Sequence, residues 1–236
     1  MKYNELPQDI RDLAEKTIEI TNKLEPSWKS SPDVPYGVRR FNPKHTEDTQ
    51  RFVDSDRHPE TLKGMVEDKK SSQKDIDWLV NIDETDSTDA RLMLAITNDE
   101  NEVVGWTQFY IDEHLTPEQK RELNIPENAL IMETSYAKVF KEWPKYSRFI
   151  RERDNLDDME YRGVAVNGLN EAMLYFRHKE NIISEEMGVT PRHILITAYT
   201  VPENPASEIV LERNGFRVVG EIDYYGEVNK AWVKWI

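Results

Sequence analysis

A single glutamate, Glu133, stands inside the apolar run ALIMETSYAKV over residues 129–139. Burial disfavours a carboxylate's charge and would draw this group toward the range where it can take a proton from an attacking nucleophile. On a half-exposed strand the same residue would simply face solvent. Asp112, Glu113 and Tyr225 are reserve candidates for that work. A second chemical signal is Arg162-Gly163-Val164-Ala165-Val166-Asn167-Gly168, ahead of a helical pattern with Leu169, Met173 and Phe176 inward. Small residues at such a junction let backbone N–H groups approach a phosphate, and the helix N-terminus adds partial positive charge. Turn geometry alone accounts for the same residues. A third is Ser207 near the start of a short helix, where a hydroxyl can donate a proton or cap the first turn.

Other chemistries are excluded. The chain of 236 residues has no cysteine, which removes disulfides, thiolate catalysis and cysteine-held metals. Its histidines, His45, His58, His114, His178 and His193, lack metal-binding spacing, so no metal is expected. A net charge of −14 would repel phosphate backbones, which argues against nucleic acid as a partner. It suits a cationic amine. No apolar run of 18 residues and no apolar leader core occur, so neither a membrane nor export is expected and the cytoplasm is the default address.

The elements that must position these residues read as follows. Residues 8–25 carry a helical stripe between Pro7 and Pro26, and 29–35 read as a linker, so 1–30 form an appended helix. A short strand is expected over 34–41, a helix after it, and one or two polar helices over 58–82. Residues 91–99 and 102–112 form a hairpin around Asp99-Glu100-Asn101. Thr116, Pro117 and Gln119 mark a capped short helix. Strands follow over 129–139 and 192–201, then a helix over 204–216 stopped by Asn214-Gly215, and two closing strands around Tyr225-Gly226. The fold class is α/β (α+β): a mixed, mostly antiparallel sheet with helices on both faces. Residues 138–153 hold six Lys/Arg against two Glu, with Trp143, Tyr146, Phe149 and Ile150 at helical spacing. That is an amphipathic helix with a solvated basic face, or a phosphate-facing patch. Trp106, Phe109, Tyr110 and Tyr136 line either the core or an acceptor cleft.

Asn204, Ser207 three residues on, and Gly215-Phe216 eleven and twelve on, resemble the C-terminal motif of the GNAT superfamily of acyl-CoA-dependent N-acyltransferases. Arg162-Gly163-x-Ala165-Val166-Asn167 is similar to that family's pyrophosphate loop, although Ala165 stands where the loop usually has glycine and Asn167 where it has glycine or alanine. The resemblance spans 34–236 in element order, with an insertion at about 140–158, and 160–225 in motif detail. It implies a GNAT-like fold and direct transfer of an acetyl group from acetyl-CoA, as co-substrate and without a metal, to a primary amine. Glu133 becomes the base. Tyr136, Ala137 and Val139 would hold the cofactor from the strand, Arg162, Gly163, Ala165, Asn167 and Gly168 from the loop, and Asn204 from the next helix. Leu211 occupies the position where the family commonly has its tyrosine acid, so Ser207 takes that role, as in the branch similar to ribosomal-protein N-terminal acetyltransferases. The acceptor is a small cationic molecule or a protein N-terminus, and a homodimer stays open. A catalytically weakened binding module is the alternative, favoured by Leu211, Ala165 and Asn167. An acidic interaction protein docking through its first helix is a third.

Overall fold

The computed structural model describes residues 26–42, 45, 48, 52, 91–138, 163–202, 204–224 and 226–236. The first helix, the polar helices of 58–82, the basic stretch beyond Lys138 and the 140–158 insertion lie outside them, as do Val139, Arg162 and Tyr225.

Strands β1 (Gly37–Arg40), β2 (Arg91–Thr97), β3 (Val103–Ile111), β4 (Leu130–Lys138), β5 (Ile194–Thr200), β6 (Arg217–Tyr224) and β7 (Glu227–Trp235) form one sheet. Their order is β1-β2-β3-β4-β5-β7-β6. Every described pairing is antiparallel except β4 with β5. The β2–β3 hairpin turns where expected, with Asn101 at φ 63°, a conformation asparagine tolerates.

Helix α1 (Pro117–Glu122) has the capping box read from the sequence: Gln119 N–H donates to Thr116 Oγ1 at 3.2 Å, and Thr116 N–H to Gln119 Oε1 at 2.9 Å. Helix α2 (Val164–Met187) begins directly after Gly163 (φ 77°) and ends at Gly188 (φ 66°). This corrects the expected loop: Ala165, Asn167 and Gly168 lie in the first turns of the helix. Gly168 is there for packing. A Cβ on it would meet Ile96 Cδ1 at 2.5 Å, so its absence lets α2 lie close on β2. Helix α3 (Pro205–Arg213) ends at Asn214, whose Nδ2 donates to the Val166 carbonyl at 3.1 Å and ties the end of α3 to the first turn of α2.

Strand alternation sorts the side chains. Phe109 stacks on Phe176 of α2 at 5.2 Å between ring centroids, so Phe109, Thr107 and their β4 partners face α2 with Leu94, Met132, Ile194 and Ile196 in the main core. A smaller cluster of Leu115, Leu195 and Val233 lies against Leu123 and Ile125 and serves the opposite face. Residues 27–30 are not a free linker. Trp28 and Val38 exchange backbone hydrogen bonds of 2.8 and 2.9 Å, the Trp28 ring stacks on His178, and the buried Glu171 carboxylate accepts from Ser30 N–H and Oγ, both at 2.7 Å. Buried Arg39 forms a two-bond pair with Asp48, at 2.6 and 2.8 Å. Apolar packing, not these polar ties, is the larger stabilising term.

Gly168→Ala is expected to lower stability by about 1–2 kcal/mol in urea unfolding. Overpacking against Ile96 outweighs the roughly 1 kcal/mol that alanine adds to a helix. An unchanged or raised midpoint would mean that α2 can lift off β2 at little cost.

Candidate active site

Register pairing of β4 with β5 runs from Leu130↔Ile194 to Glu133↔Thr197 and goes no further. Beyond that point β4 stays bonded to β3 as far as Lys138, while β5 bonds to β7 as far as Thr200. A gap therefore opens within the sheet, and Glu133 marks its apex. Leu130 N–H donates to the His193 carbonyl at 2.8 Å, so even-numbered peptide groups of β4 face β5. Those of Tyr136 and Lys138 face the gap past the last pair, whereas the Ala137 peptide faces β3. Gly168 packs on Ile96, which is in register with Gly105 and hence with Lys138. The first turn of α2 thus lies at the open end of the gap.

On the face away from α2, Glu133 is 3% exposed. Its neighbour in register, Tyr110, donates its hydroxyl to Glu133 Oε1, and Tyr224 at the end of β6 donates to the same oxygen at 2.6 Å. His114 Nε2 lies 3.9 Å from Glu133 Oε2. A second buried carboxylate, Asp112, accepts from Thr197 Oγ1 at 2.6 Å, Tyr199 OH at 2.7 Å and the His114 backbone N–H at 2.6 Å. The rings close over these groups: Tyr199 stacks on Tyr224 at 4.8 Å, and His114 meets Tyr224 at 4.6 Å and Tyr199 at 5.7 Å. Burial pushes the Tyr110 hydroxyl well above the usual tyrosine range, and the Glu133 charge adds to it. Tyr199 moves the same way, through burial and then Asp112. Both stay protonated donors at neutral pH.

On the α2 face, Tyr136 reaches toward α3 and donates its hydroxyl to the Ser207 carbonyl at 3.1 Å. Asn204 is the N-cap of α3, its Oδ1 accepting from Ser207 N–H at 3.2 Å. The cap is therefore Asn204 and not Ser207, whose half-buried side chain sits one turn in. Leu211 is fully buried in the main core.

The residues present fit a CoA thioester. Gly163 caps α2 with no side-chain bond, and the first turn has no acidic residue, so its N–H groups are presented as an anion site. A Cβ on Gly163 would lie 3.0 Å from Asn167 Nδ2. The Ala165 methyl is buried. No group of three or more acidic or histidine side chains among the described residues could hold a metal, and no described helix is long and apolar enough to cross a membrane.

Sequence reading brought out Glu133, Asp112 and Tyr136. It missed His114, Tyr199 and Tyr224, which come from three further places along the chain and share no spacing. Of the reserves, Glu113 is exposed beside the cluster. Trp106 and Phe109 are core.

No family model matches the chain, and no curated protein matches its sequence. Solved structures match its shape. AAC(6')-Ib in complex with Parmomycin and acetyl-CoA is 10% identical over 85% of this chain and 93% of that one, with a TM-score of 0.52. The same protein with ribostamycin and coenzyme A is 11% identical over 85% and 93%, also at 0.52. A GNAT-family acetyltransferase from Bacillus anthracis is 16% identical over 91% and 98%, at 0.47. The seven-stranded mixed sheet with its helices is the GNAT fold.

Burial pushes the Tyr136 hydroxyl up to about 12, the bond to Ser207 acting weakly the other way. An unfolded tyrosine loses its proton near pH 10, so the folded state holds the proton longer. That contribution is complete below about pH 10 and is lost as pH rises toward 12, at about 1.4 kcal/mol per pH unit. Tyr136→Phe should flatten the fall of stability between pH 10 and 12 by up to one proton, read from urea midpoints. An unaltered slope would show the hydroxyl to be solvated.

Proposed function

We propose that this chain belongs to the GNAT superfamily and is an acyl-CoA-dependent N-acyltransferase, moving an acetyl group from acetyl-CoA directly to a primary amine. The observation that carries this reading is the buried carboxylate of Glu133 at the apex of the gap between β4 and β5. The likeness in fold to AAC(6')-Ib, solved in complex with Parmomycin and acetyl-CoA, and the start of α2 at the gap's open end support it.

In this reading the first-turn N–H groups of α2 bind the pyrophosphate. The thioester lies along β4, where the Tyr136 N–H faces the gap and can stabilise the negative charge that develops on the carbonyl oxygen. The acceptor arrives as an ammonium ion attracted by Glu133 and Asp112. Glu133 takes its proton, the neutral nitrogen attacks the carbonyl carbon, and the carbon–sulfur bond breaks. Ser207 donates its hydroxyl proton to the departing thiolate and is reprotonated by the proton that the acylated nitrogen sheds in becoming the amide. Its N–H is held by Asn204 and its carbonyl by Tyr136, which fixes the backbone that carries the hydroxyl. Arg162 and Val139 remain proposed contacts from beyond the described residues. Two buried carboxylates suit a cationic acceptor: a small polyamine-like molecule or a protein N-terminus.

A binding module of the same fold is the second reading. The buried aliphatic Leu211, at the position where the family commonly has its tyrosine acid, favours it. Thiol release separates the two.

Acetyl-CoA at 100 times its dissociation constant stabilises by about 2.7 kcal/mol. Thermal unfolding should then shift upward by roughly 5–10 °C, with ATP as the control. No shift at millimolar acetyl-CoA would overturn the cofactor site. Thiol release is then followed with a panel of 1,4-diaminobutane, lysine methyl ester, kanamycin and an N-terminal tripeptide. Glu133→Gln should cut turnover by about 10²-fold or more while keeping the thermal shift, and a normal rate would remove Glu133 from the chemistry.

A further inference from the structure

A buried base must return its proton to water after every turnover. Glu133 is 3% exposed and is hydrogen-bonded by two tyrosine hydroxyls. Two of its neighbours, Tyr110 and Tyr224, donate to Oε1, so they face the carboxylate as donors and do not take its proton. His114 differs from them. Its Nε2 lies 3.9 Å from the other oxygen, Oε2, and its side chain is 26% exposed. Histidine is also the side chain that ordinarily changes charge between pH 5 and 8.

We infer that His114 is a proton-relay residue that carries the proton collected by Glu133 out to solvent. The inference rests on the acyltransferase reading above. The acceptor's ammonium proton passes to Glu133, then from Oε2 to neutral Nε2 through a small movement or one bridging water, giving imidazolium. The imidazolium releases the proton from its exposed edge, and both groups return to their starting states.

The surroundings hold His114 to this task. Its backbone N–H donates to Asp112 Oδ1 at 2.6 Å, and its ring rests on Tyr224 and Tyr199. Among the described residues, the charged and titratable groups around it include Asp112 and Glu113 beside it in the chain, Glu133 on β4, Tyr199 on β5 and Tyr224 on β6.

The test is kinetic. In thiol release with the amine that turns over best, His114→Ala and the ring-preserving His114→Phe should both lose about 10-fold or more in kcat. The acetyl-CoA thermal shift should be unchanged. Added imidazole should restore His114→Ala in proportion to its free base, which lost packing alone would not allow. Full activity and an unaltered pH profile in both variants overturn the relay and leave Glu133 standing. A normal rate in Glu133→Gln, or no thiol release with any amine, overturns the base reading itself and the relay with it.

Discussion

The parting of two parallel strands organises this molecule. β4 and β5 share hydrogen bonds only as far as Glu133↔Thr197. Backbone N–H and C=O groups left without partners are costly when buried, so two strands separate stably only if something else satisfies or hydrates them. Here each strand keeps its other neighbour. β3 holds β4 from Met132 to Lys138, and β7 holds β5 to Thr200. One side of each strand is thereby fixed while the facing sides stay available. The sheet carries a slot whose walls are rigid because the rest of the ladder is intact, which is the support a ligand held by main-chain groups requires.

The slot has two unlike sides because side chains alternate along a strand. From the apex onward, Glu133 points to one face and Thr134 and Tyr136 to the other. The first face collects carboxylates, tyrosines and a histidine. The second meets the helices, where Tyr136 is tied to Ser207 and Asn214 joins α3 to the first turn of α2. A long ligand with anionic phosphates at one end and an electrophilic carbonyl near the other finds helix N–H groups at the open end and a carboxylate at the closed one. The division of labour follows from strand geometry before any particular side chain is considered.

Much of this was legible in the sequence, and what was not failed for physical reasons. The hairpin, the capping box at Thr116, and the Asn214-Gly215 stop depend on neighbours within a few residues, so local patterns reveal them. Glu133 was visible because a charge in an apolar strand is a local anomaly. The glycine-rich stretch misled, since small residues serve a tight turn and a closely packed helix equally well. Gly163 has the positive φ of a cap, and Gly168 yields its space to Ile96. His114, Tyr199 and Tyr224 could not be grouped, because only the sheet order brings β6 within reach of β4. Ser30 looked like a linker residue because its partner, Glu171, is more than a hundred residues away.

Two carboxylates buried within one cluster should repel each other and suffer desolvation. What makes the arrangement tolerable is that each has its own donors. Asp112 is supplied by Thr197, Tyr199 and a backbone N–H, so its charge is spent within the fold. Glu133 has both phenol donors on one oxygen, Oε1, while Oε2 turns toward His114. The asymmetry matters. Asp112 accepts from fixed donors on both oxygens, which makes it an anchor, whereas the two phenols at Glu133 share Oε1 and its Oε2 lies on the His114 side. Asp112 therefore acts as the anchor that holds Tyr199, and through its stacked ring Tyr224, in place. Glu133 is the group this anchoring orients, which is why the proposed base is Glu133 and not Asp112, although both are acidic and buried.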